Sequence, residues 1–353
     1  AHDSTFISFG NMNDILSVLS REVGTLHWRE VVRDVARQHL RPMKVLANDF
    51  INDSVYKVQG LTPQPIPPEG FMDQVGAKVS KHKVGDLVGV GCMVDSCRHC
   101  EACAADLEQY CLEGPTLTYA TPDRVDGSNT MGGYSNSIVV SEHFVVRIPE
   151  KLNLAAAAPI LCAGITTYSP LKHYGVKAGD KVGVLGMGGL GHMGIKFAKA
   201  MGAQVTLFTR SASKAEEARR QGADHVIVST DAEQMKAAAG RFDFLLDTIP
   251  VQHDLNPYLE TLRFDGVHIL VGLIEPVDPA LHAANLVMKR RVLAGSLIGG
   301  IAETQEVLDF CAEHDISCDI EMLDIKHINE AYSRMIAGDV KYRFVIDMAT
   351  LKA

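Results

Sequence analysis

Four cysteines lie within one short stretch of the chain, at Cys97, Cys100, Cys103 and Cys111. Their spacing, Cys-x2-Cys-x2-Cys-x7-Cys, suits four thiolates that close tetrahedrally on one Zn²⁺ and leave no coordination position open. Buried free cysteines are the alternative, but a cluster in a polar, turn-rich loop favours a metal site. Because a closed four-thiolate site performs no catalysis, the spacing predicts a structural zinc that fastens a loop with little core of its own.

A second motif is rich in glycine and runs Gly186-Met187-Gly188-Gly189-Leu190-Gly191. It follows a predicted buried strand and opens a predicted helix, which is the context of a dinucleotide-binding loop. The glycines permit the tight turn, the approach of a pyrophosphate and the close packing of helix on strand. Free amides at the helix N-terminus then bind the phosphates. A flexible glycine turn is the alternative, and the order strand, loop, helix, second strand argues against it.

The end of the second strand distinguishes NADP(H) from NAD(H). An acidic residue there would bind the ribose 2′-hydroxyl and repel a 2′-phosphate. This chain instead has hydroxyl and cationic side chains, at Thr209, Arg210, Ser211 and Lys214. Hydroxyls and cations suit a phosphate, so the sequence predicts NADP(H), with ordinary solvated residues as the alternative.

The elements that must position these motifs change in character near residue 152. Short strands are predicted before it, at 84–90, 137–140 and 144–148. After it, predicted strands at 181–185, 204–208, 225–228, 242–246 and 266–271 alternate with helices at 191–201 and 214–221, followed by a helix at 303–314. This alternation predicts an α/β fold with a doubly wound parallel sheet. A last strand at 342–347 is expected to return to the first domain.

Length and composition limit the class of protein. The chain has 353 residues, 46% hydrophobic and 22% charged, which suggests two globular domains. Acidic residues outnumber basic ones, 43 to 34, so a nucleic-acid partner is not expected. No apolar run reaches membrane-spanning length and the first residues show no signal-peptide pattern, so the cytoplasm is the expected location.

Taken together, the motifs resemble the zinc-containing medium-chain alcohol dehydrogenases, and most closely their cinnamyl-alcohol-dehydrogenase-like, NADP-dependent aldehyde reductase branch. The resemblance covers about residues 75–350. Besides the cysteines and the glycine loop, it rests on VGDLVGVG at 84–91, GGYS at 132–135, APILCAGITTY at 158–168, MKRR at 288–291, GSLIGG at 295–300 and DVKYRFVID at 339–347.

The resemblance implies a GroES-like β-rich catalytic domain at 1–151, completed by 315–353, and a Rossmann cofactor domain at 152–314. It implies a small aldehyde or alcohol substrate, hydride transfer with NADP(H), a catalytic Zn²⁺ acting as a Lewis acid, and a homodimer. Individual residues also acquire roles: Cys162 as a ligand of the catalytic zinc, Thr166 near the nicotinamide, Ser296 and Ile298 lining its pocket, and Lys341 or Arg343 reaching the cofactor phosphates.

The first 72 residues depart from the family pattern. They contain no cysteine, and the Gly-His-Glu motif that supplies another zinc ligand does not occur in the chain. Cys162 is the only recognisable ligand of the catalytic zinc. Glu69 lies near the expected histidine position and is the best substitute, because carboxylates can bind zinc.

Three functions therefore remain open at this stage. The leading one is an NADP(H)-dependent oxidoreductase that interconverts aldehydes and primary alcohols. The second is a zinc-independent quinone or enone reductase of the same superfamily, which the stretch 44–60 faintly resembles. The third is a non-catalytic NADP(H)-binding protein.

Overall fold

The computed structural model describes residues 74–133, 138–272 and 276–350, together with the backbone of two strands at 6–9 and 55–58. Its first part is built from short strands, mostly paired in antiparallel fashion, and includes a small helix α1 (Glu101–Ala104). The strands are β1 (Phe6–Phe9), β2 (Val55–Val58), β3 (Gln74–Val75), β4 (Val88–Val90), β5 (Met93–Asp95), β6 (Thr116–Leu117), β7 (Tyr119–Pro122), β8 (Asn129–Met131), β9 (Ile138–Ser141) and β10 (Val145–Arg147).

These strands form several small sheets. The order β3-β2-β9 makes one sheet, and β4 pairs with β10, β5 with β6 and β7 with β8. The predicted strand at 84–90 is shorter than expected, because Lys83 to Asp86 form a turn in which Gly85 has φ +91°. Only Val88–Val90 continues as a strand.

The second part contains a six-stranded sheet whose neighbours are all parallel. Two helices precede it, α2 (Leu154–Ala157) and α3 (Ala163–His173). The strands are β11 (Lys181–Leu185), β12 (Gln204–Thr209), β13 (His225–Val228), β14 (Phe242–Asp247), β15 (Leu262–Leu270) and β16 (Val292–Gly295). Their order, β13-β12-β11-β14-β15-β16, is that of a Rossmann sheet.

One helix connects each pair of successive strands in this sheet. These are α4 (Gly191–Ala200), α5 (Ala215–Arg220), α6 (Ala232–Ala237), α7 (Asn256–Thr261) and α8 (Ala283–Val287). The central strands form because they are almost continuous apolar runs: Val182, Val184 and Leu185 are fully buried. Such runs suit parallel strands that are covered on both faces.

The chain closes with α9 (Ile301–His314), β17 (Ile320–Asp324), α10 (Ile328–Ile336) and β18 (Arg343–Asp347). Strand β18 pairs with β17 in parallel and with β1 in antiparallel fashion, so the two ends of the chain share a sheet. Five strands of the parallel sheet, β11 to β15, and the helices near 191–200, 215–220 and 301–314 lie within a few residues of their predicted bounds, whereas β16 was not predicted. Among the described residues, no single helix has the length and apolarity to cross a membrane, although the bent pair at 154–161 and 163–173 has them jointly.

Candidate cofactor site and metal centre

The carboxyl ends of the parallel strands meet along one edge of the sheet. The order of strands reverses between β11 and β14, and in open α/β sheets ligands bind at such a switch point. The glycine loop follows β11 and Thr209 ends β12, while Ser296 and Ile298 follow β16. The fold therefore brings the residues predicted for cofactor binding to a single edge.

The glycine loop has the geometry that a dinucleotide requires. Gly186 has φ +84°, a left-handed conformation that favours glycine, and its N–H donates to Phe208 O at 3.0 Å. A Cβ on Gly191 would overlap the carbonyl of Gly186, whereas a Cβ on Gly188 would meet no described atom within 4 Å. The helix thus packs on the strand at Gly191 while the backbone at Gly188 stays open to a ligand.

The Arg343 guanidinium lies directly over this loop. A Cβ on Gly189 would overlap its Nε atom, so the loop and the cation are in contact. Arg343 is only 6% exposed, and its Nε has no hydrogen-bond partner among the described residues. A buried donor without a partner is costly, and a pyrophosphate on the loop would satisfy it. The residues present therefore fit the phosphates of a dinucleotide.

Lys341, the other candidate for the phosphates, points elsewhere. Its side chain is 66% exposed and its Nζ lies 3.5 Å from Glu217 Oε2, on helix α5. Its backbone N–H donates to Glu321 Oε1 at 2.8 Å. Of the two candidates, the geometry favours Arg343 as the phosphate-binding cation.

The predicted 2′-phosphate site forms an open, cationic corner at the end of β12. Arg210, Ser211 and Lys214 are exposed, and the Ser211 hydroxyl lies 2.8 Å from that of Ser213. The N–H of Ser211 donates to Thr209 Oγ1 at 3.4 Å. Two cations and a row of hydroxyls can hold a phosphate there.

At the opposite end of the edge, helix α3 lies against the loop after β16. A Cβ on Gly299 would crowd the side chain of Ile165, and Thr166 follows on the same helix. The Thr166 hydroxyl donates to Cys162 O at 2.7 Å. Ser296 and Ile298 are half-buried in the facing loop. These positions form one wall, as expected for residues around a nicotinamide.

The four cysteines of the predicted zinc site converge. Their sulfur atoms all lie within 4.8 Å of one another. Backbone N–H groups point at the sulfurs: Cys97 N donates to Cys111 Sγ at 3.4 Å, and Cys100 N to Cys97 Sγ at 3.3 Å. Such hydrogen bonds orient thiolate ligands and stabilise their charge. The donor set and its geometry fit one tetrahedral zinc.

The electrostatics around the four sulfurs differ from one sulfur to the next. Backbone N–H groups of Cys103 and Leu112 lower the pKa of Cys100 to about 6, whereas burial raises the pKa of Cys103 to about 12. The Arg124 guanidinium lies 3.9 Å from Cys111 Sγ. A cation at that distance offsets part of the negative charge that four thiolates carry in excess of Zn²⁺.

Cys162 lies at the start of helix α3, beside a cysteine that sequence reasoning missed. That residue is Cys92, which directly follows the VGDLVGVG stretch. Hydrogen bonding to Cys162, followed by burial, raises the pKa of the Cys92 thiol well above its usual value. Tyr119 is hydrogen-bonded to the same thiol. Two sulfurs and a phenol thus meet where the resemblance implies a catalytic zinc.

A complete set of ligands for a second metal is not visible around Cys162. In the part of the chain that the structure describes, the groups of three or more potential ligands are the four cysteines and the set Cys97, His99 and Glu113. Glu69, the predicted substitute ligand, lies outside the described residues.

A buried ionic cluster at the end of β14 also escaped sequence reasoning. The Asp247 carboxylate accepts hydrogen bonds from His253 Nε2 and His268 Nε2, each at 2.9 Å, and from the N–H of Ile249 at 3.1 Å. It belongs to the cofactor edge, because Thr248 and Ile249 lie against Gly186. The two histidines lie 15 residues apart in the sequence, so no local spacing signals the cluster.

The hydrogen-bond partners of His253 fix its charge. His253 Nδ1 lies 2.8 Å from Val251 O, and its Nε2 lies 2.9 Å from the carboxylate. Because both partners only accept, both ring nitrogens donate and His253 is an imidazolium. Burial alone would lower its pKa, but the Asp247 hydrogen bond and charge raise it. His268 Nδ1 has no hydrogen-bond partner among the described residues.

His192 connects the glycine loop to the C-terminal segment. Its Nδ1 lies 3.1 Å from Gly188 O and its Nε2 lies 3.2 Å from Cys318 Sγ. Burial lowers the pKa of His192 to about 3, so the ring is neutral. It stacks on Tyr342, with ring centroids 4.5 Å apart, next to Arg343. His192 therefore supports the loop and is not a base.

Comparison with known proteins agrees with this geometry. The family described as "Zinc-binding dehydrogenase" matches residues 189–313, and "Alcohol dehydrogenase GroES-like domain" matches residues 68–150. Aldehyde reductase YahK of Escherichia coli is 55% identical over 80% of this chain and 81% of its own length. NADP-dependent alcohol dehydrogenase C 1 of Mycolicibacterium smegmatis is 51% identical over 83% and 85%.

A solved structure of a cinnamyl alcohol dehydrogenase from Sorghum bicolor superimposes with a TM-score of 0.79 at 40% identity, covering 86% of this chain and 93% of that one. These matches confirm the predicted two-domain fold. They also confirm the predicted class of reaction, NADP-dependent oxidoreduction of aldehydes and alcohols. The chain belongs to the zinc-binding alcohol dehydrogenase family, in its cinnamyl-alcohol-dehydrogenase-like branch.

Proposed function

We propose that this chain interconverts aldehydes and primary alcohols by hydride transfer at the wall formed by helix α3 and the loop after β16. The observation that carries the proposal is the buried Arg343 guanidinium on the glycine loop, with an Nε that a pyrophosphate would satisfy. A dinucleotide whose pyrophosphate lay there would extend along the carboxyl edge toward both the cationic corner and the facing wall. NADP(H), when bound, supplies or accepts the hydride.

The cofactor-binding residues form three groups, one for each part of the cofactor. Gly186, Gly188, Gly189, Leu190 and Gly191 hold the pyrophosphate with Arg343. The 2′-phosphate lies among Thr209, Arg210, Ser211 and Lys214. Ser296, Ile298 and Thr166 would surround the nicotinamide. The Thr166 hydroxyl donates to Cys162 O at 2.7 Å, which fixes the orientation of that side chain in the wall.

The two predicted zinc sites have different roles. Cys97, Cys100, Cys103 and Cys111 hold a structural zinc, which is supported by their mutual distances and the N–H groups on their sulfurs. Cys162 supplies one ligand to a catalytic zinc, and Glu69 is the proposed second. A zinc bound at Cys162 would polarise the substrate carbonyl. Cys92, hydrogen-bonded to Cys162, orients that sulfur.

The proposed division of the chain is supported by its sheets. Residues 1–151 and 315–353 form the catalytic domain, since β18 pairs with β1 and β17, and residues 152–314 form the Rossmann domain. A homodimer is supported by β16, an edge strand of the parallel sheet, near which Val287 is 77% exposed and Met288 76% exposed. None of the eight cysteines, which all lie among the described residues, forms a disulfide, and this supports a reducing compartment, the cytoplasm.

The test is binding and turnover with both nicotinamide cofactors. We expect NADPH-dependent reduction of aldehydes, and a strong preference for NADH would overturn the cofactor assignment. Arg343→Ala should weaken both cofactors by about 10- to 100-fold, as expected for a lost charge-assisted hydrogen bond. Arg210→Ala should weaken NADPH alone, and Arg219→Ala, on the exposed face of α5, is the matched control. Two zincs per chain would support the catalytic site, and one would contradict it.

A further inference from the structure

The cysteine loop contacts the Rossmann domain at the cofactor wall. The stretch between Cys103 and Cys111 lies against residues 297–301, which follow β16 and begin helix α9. A Cβ on Gly300 would overlap the carbonyl of Asp106, so the two backbones are in direct contact. Since Ser296 and Ile298 lie at the start of this segment, the zinc loop and the proposed nicotinamide wall share a boundary.

Glu108 provides the first anchor across this boundary. Its side chain is 1% exposed, and its Oε2 accepts the N–H of Ile301 at 3.0 Å, while Oε1 lies 2.5 Å from His143 Nε2. Helix α9 has no side-chain cap of its own, because its N-cap residue is Gly300. A carboxylate at the helix N-terminus satisfies a free N–H and interacts favourably with the helix dipole.

The charge on Glu108 is maintained despite its burial. Burial alone would raise the pKa of this carboxyl, but the hydrogen bonds from His143 and Ile301 hold it below its usual value. Glu108 therefore acts as a capping anion supplied to α9 from a distant part of the sequence, 193 residues away.

Tyr110 provides the second anchor. Its hydroxyl accepts the N–H of Leu297 at 3.0 Å. Between the two anchored positions, Ile298 has φ +35°, a backbone conformation that a β-branched residue rarely adopts. Such a conformation persists only where the surrounding structure holds it, and here the loop is held on both sides of Ile298.

We propose that the cysteine loop positions the nicotinamide wall through Glu108 and Tyr110, so that zinc in the loop and NADP(H) at the sheet edge strengthen each other's binding. Without metal the loop has little apolar core and loses its shape, which releases Leu297 and Ile301. The coupling is reciprocal, because a ligand that favours the anchored loop must be favoured by it. This inference rests on the proposed role of Ser296 and Ile298 at the cofactor.

The experiment uses the zinc-loaded full chain and three variants. Glu108→Gln removes the capping charge, Tyr110→Phe removes one acceptor while keeping the ring, and Glu101→Gln changes an exposed carboxylate of the same loop as a control. NADPH affinity is measured by fluorescence titration, zinc release by a chromogenic chelator with and without NADPH, and amide hydrogen exchange at Leu297 and Ile301 by mass spectrometry.

We expect the NADPH dissociation constant to rise about 5- to 50-fold in Glu108→Gln and less in Tyr110→Phe, within the usual range of coupling between sites. NADPH should slow zinc release from the wild-type chain and from Glu101→Gln, but not from Glu108→Gln. In Tyr110→Phe we expect faster amide hydrogen exchange at Leu297 while the zinc is retained. This result tests the Tyr110 anchor in a loop that stays folded.

The two proposals fail separately. Wild-type NADPH affinity in both anchor variants, or zinc release that NADPH does not slow, would overturn the coupling and leave the proposed function intact. Absence of NADPH binding to the wild-type chain would overturn the proposed function itself.

Discussion

The cysteine loop and the parallel sheet are held together by different forces. In the sheet, Val184 and Leu246 are fully buried, and the apolar faces of the strands pack against helix residues such as Phe197. In the loop, the buried side chains are thiols and polar groups: Cys103, Cys111 and Glu108. Burial of apolar surface stabilises the sheet at about 25 cal/mol per Å², whereas the loop buries little such surface.

This difference explains why the cofactor-binding groups lie at the sheet edge and the metal ligands lie in the cysteine loop. A sheet that is stable by itself can present open backbone at one edge, as it does at Gly188. A loop without a core needs a ligand to keep its shape, so its contacts depend on that ligand. Four experiments test the contrast.

The largest effect is expected from removing one metal ligand. Cys103→Ser should abolish zinc binding in the loop, a loss on the order of 10 kcal/mol of metal-binding free energy. Metal counting should show one zinc fewer per chain, and limited proteolysis should cut between residues 97 and 124. Leu246→Ala, in the sheet, should instead lower the free energy of unfolding by about 2–5 kcal/mol with the loop zinc retained. Equal zinc content in Cys103→Ser and wild type would refute the contrast.

Substitutions at two glycines compare the cost of overpacking with the cost of backbone strain. A Cβ on Gly183, in β11, would lie 2.5 Å from Leu245 Cδ2 and 2.7 Å from Phe208 Cε2, so Gly183→Ala should cost about 1–3 kcal/mol by overpacking. Gly114, in the loop, has φ +79° and a Cβ there would meet no described atom within 4 Å. Gly114→Ala should cost about 1 kcal/mol through backbone strain alone. Urea unfolding measures both, and an equal or larger cost at Gly114 would contradict the contrast.

The Asp247 cluster should make the stability of the sheet edge depend on pH. The raised pKa of His253 means that its stabilisation is complete below about pH 6.5 and is lost as pH rises through the folded value. Burial would raise the pKa of Asp247, but the two histidine hydrogen bonds lower it, so its stabilisation holds above about pH 3.9 and is lost in acid. We expect a loss of Tm of about 2–4 °C on the alkaline side.

The variant His253→Gln should remove that alkaline loss. The matched control is His225→Gln, at an exposed histidine of the same sheet. Thermal unfolding between pH 5 and 9 measures the profiles. An unchanged alkaline limb in His253→Gln would show that another group is responsible.

The smallest effect is expected where neither zinc nor apolar burial acts. Lys341→Ala removes an exposed cation that pairs with Glu217. The free energy of unfolding should change by less than about 0.5 kcal/mol, and NADPH affinity by less than about twofold. A tenfold loss of affinity, measured beside Arg343→Ala, would show that Lys341 and not Arg343 binds the phosphates.

Local signals made much of this fold predictable from the sequence. Apolar runs of five or six residues predicted β11, β12 and β14, and the cysteine spacing predicted sulfurs that do converge. Helix α3 was not predicted as an element, since Pro170 interrupts a pattern that burial nevertheless keeps helical. Propensity is a weak signal where tertiary packing decides.

The contacts that escaped prediction join residues far apart in the chain. Glu108 accepts the N–H of Ile301, which lies 193 residues away in the sequence. Cys92 is hydrogen-bonded to Cys162, which is also distant in the sequence. No sequence pattern around one residue of such a pair identifies the other, because these contacts arise only from the folded topology. The second set of zinc ligands stays a prediction, since Glu69 lies outside the described residues.

The pairing of β1 with β18 has a consequence for how the chain is made. Strand β1 is synthesised long before its partner, 343–347, because almost the whole described chain lies between them. At synthesis rates of about 5–20 residues per second, β1 waits on the order of tens of seconds for β18. The Rossmann sheet, by contrast, is contiguous and can fold while synthesis continues. The sheet that contains β1 is therefore completed only after the Rossmann sheet has been synthesised, and until then β1 is an unpaired strand that a chaperone would need to protect.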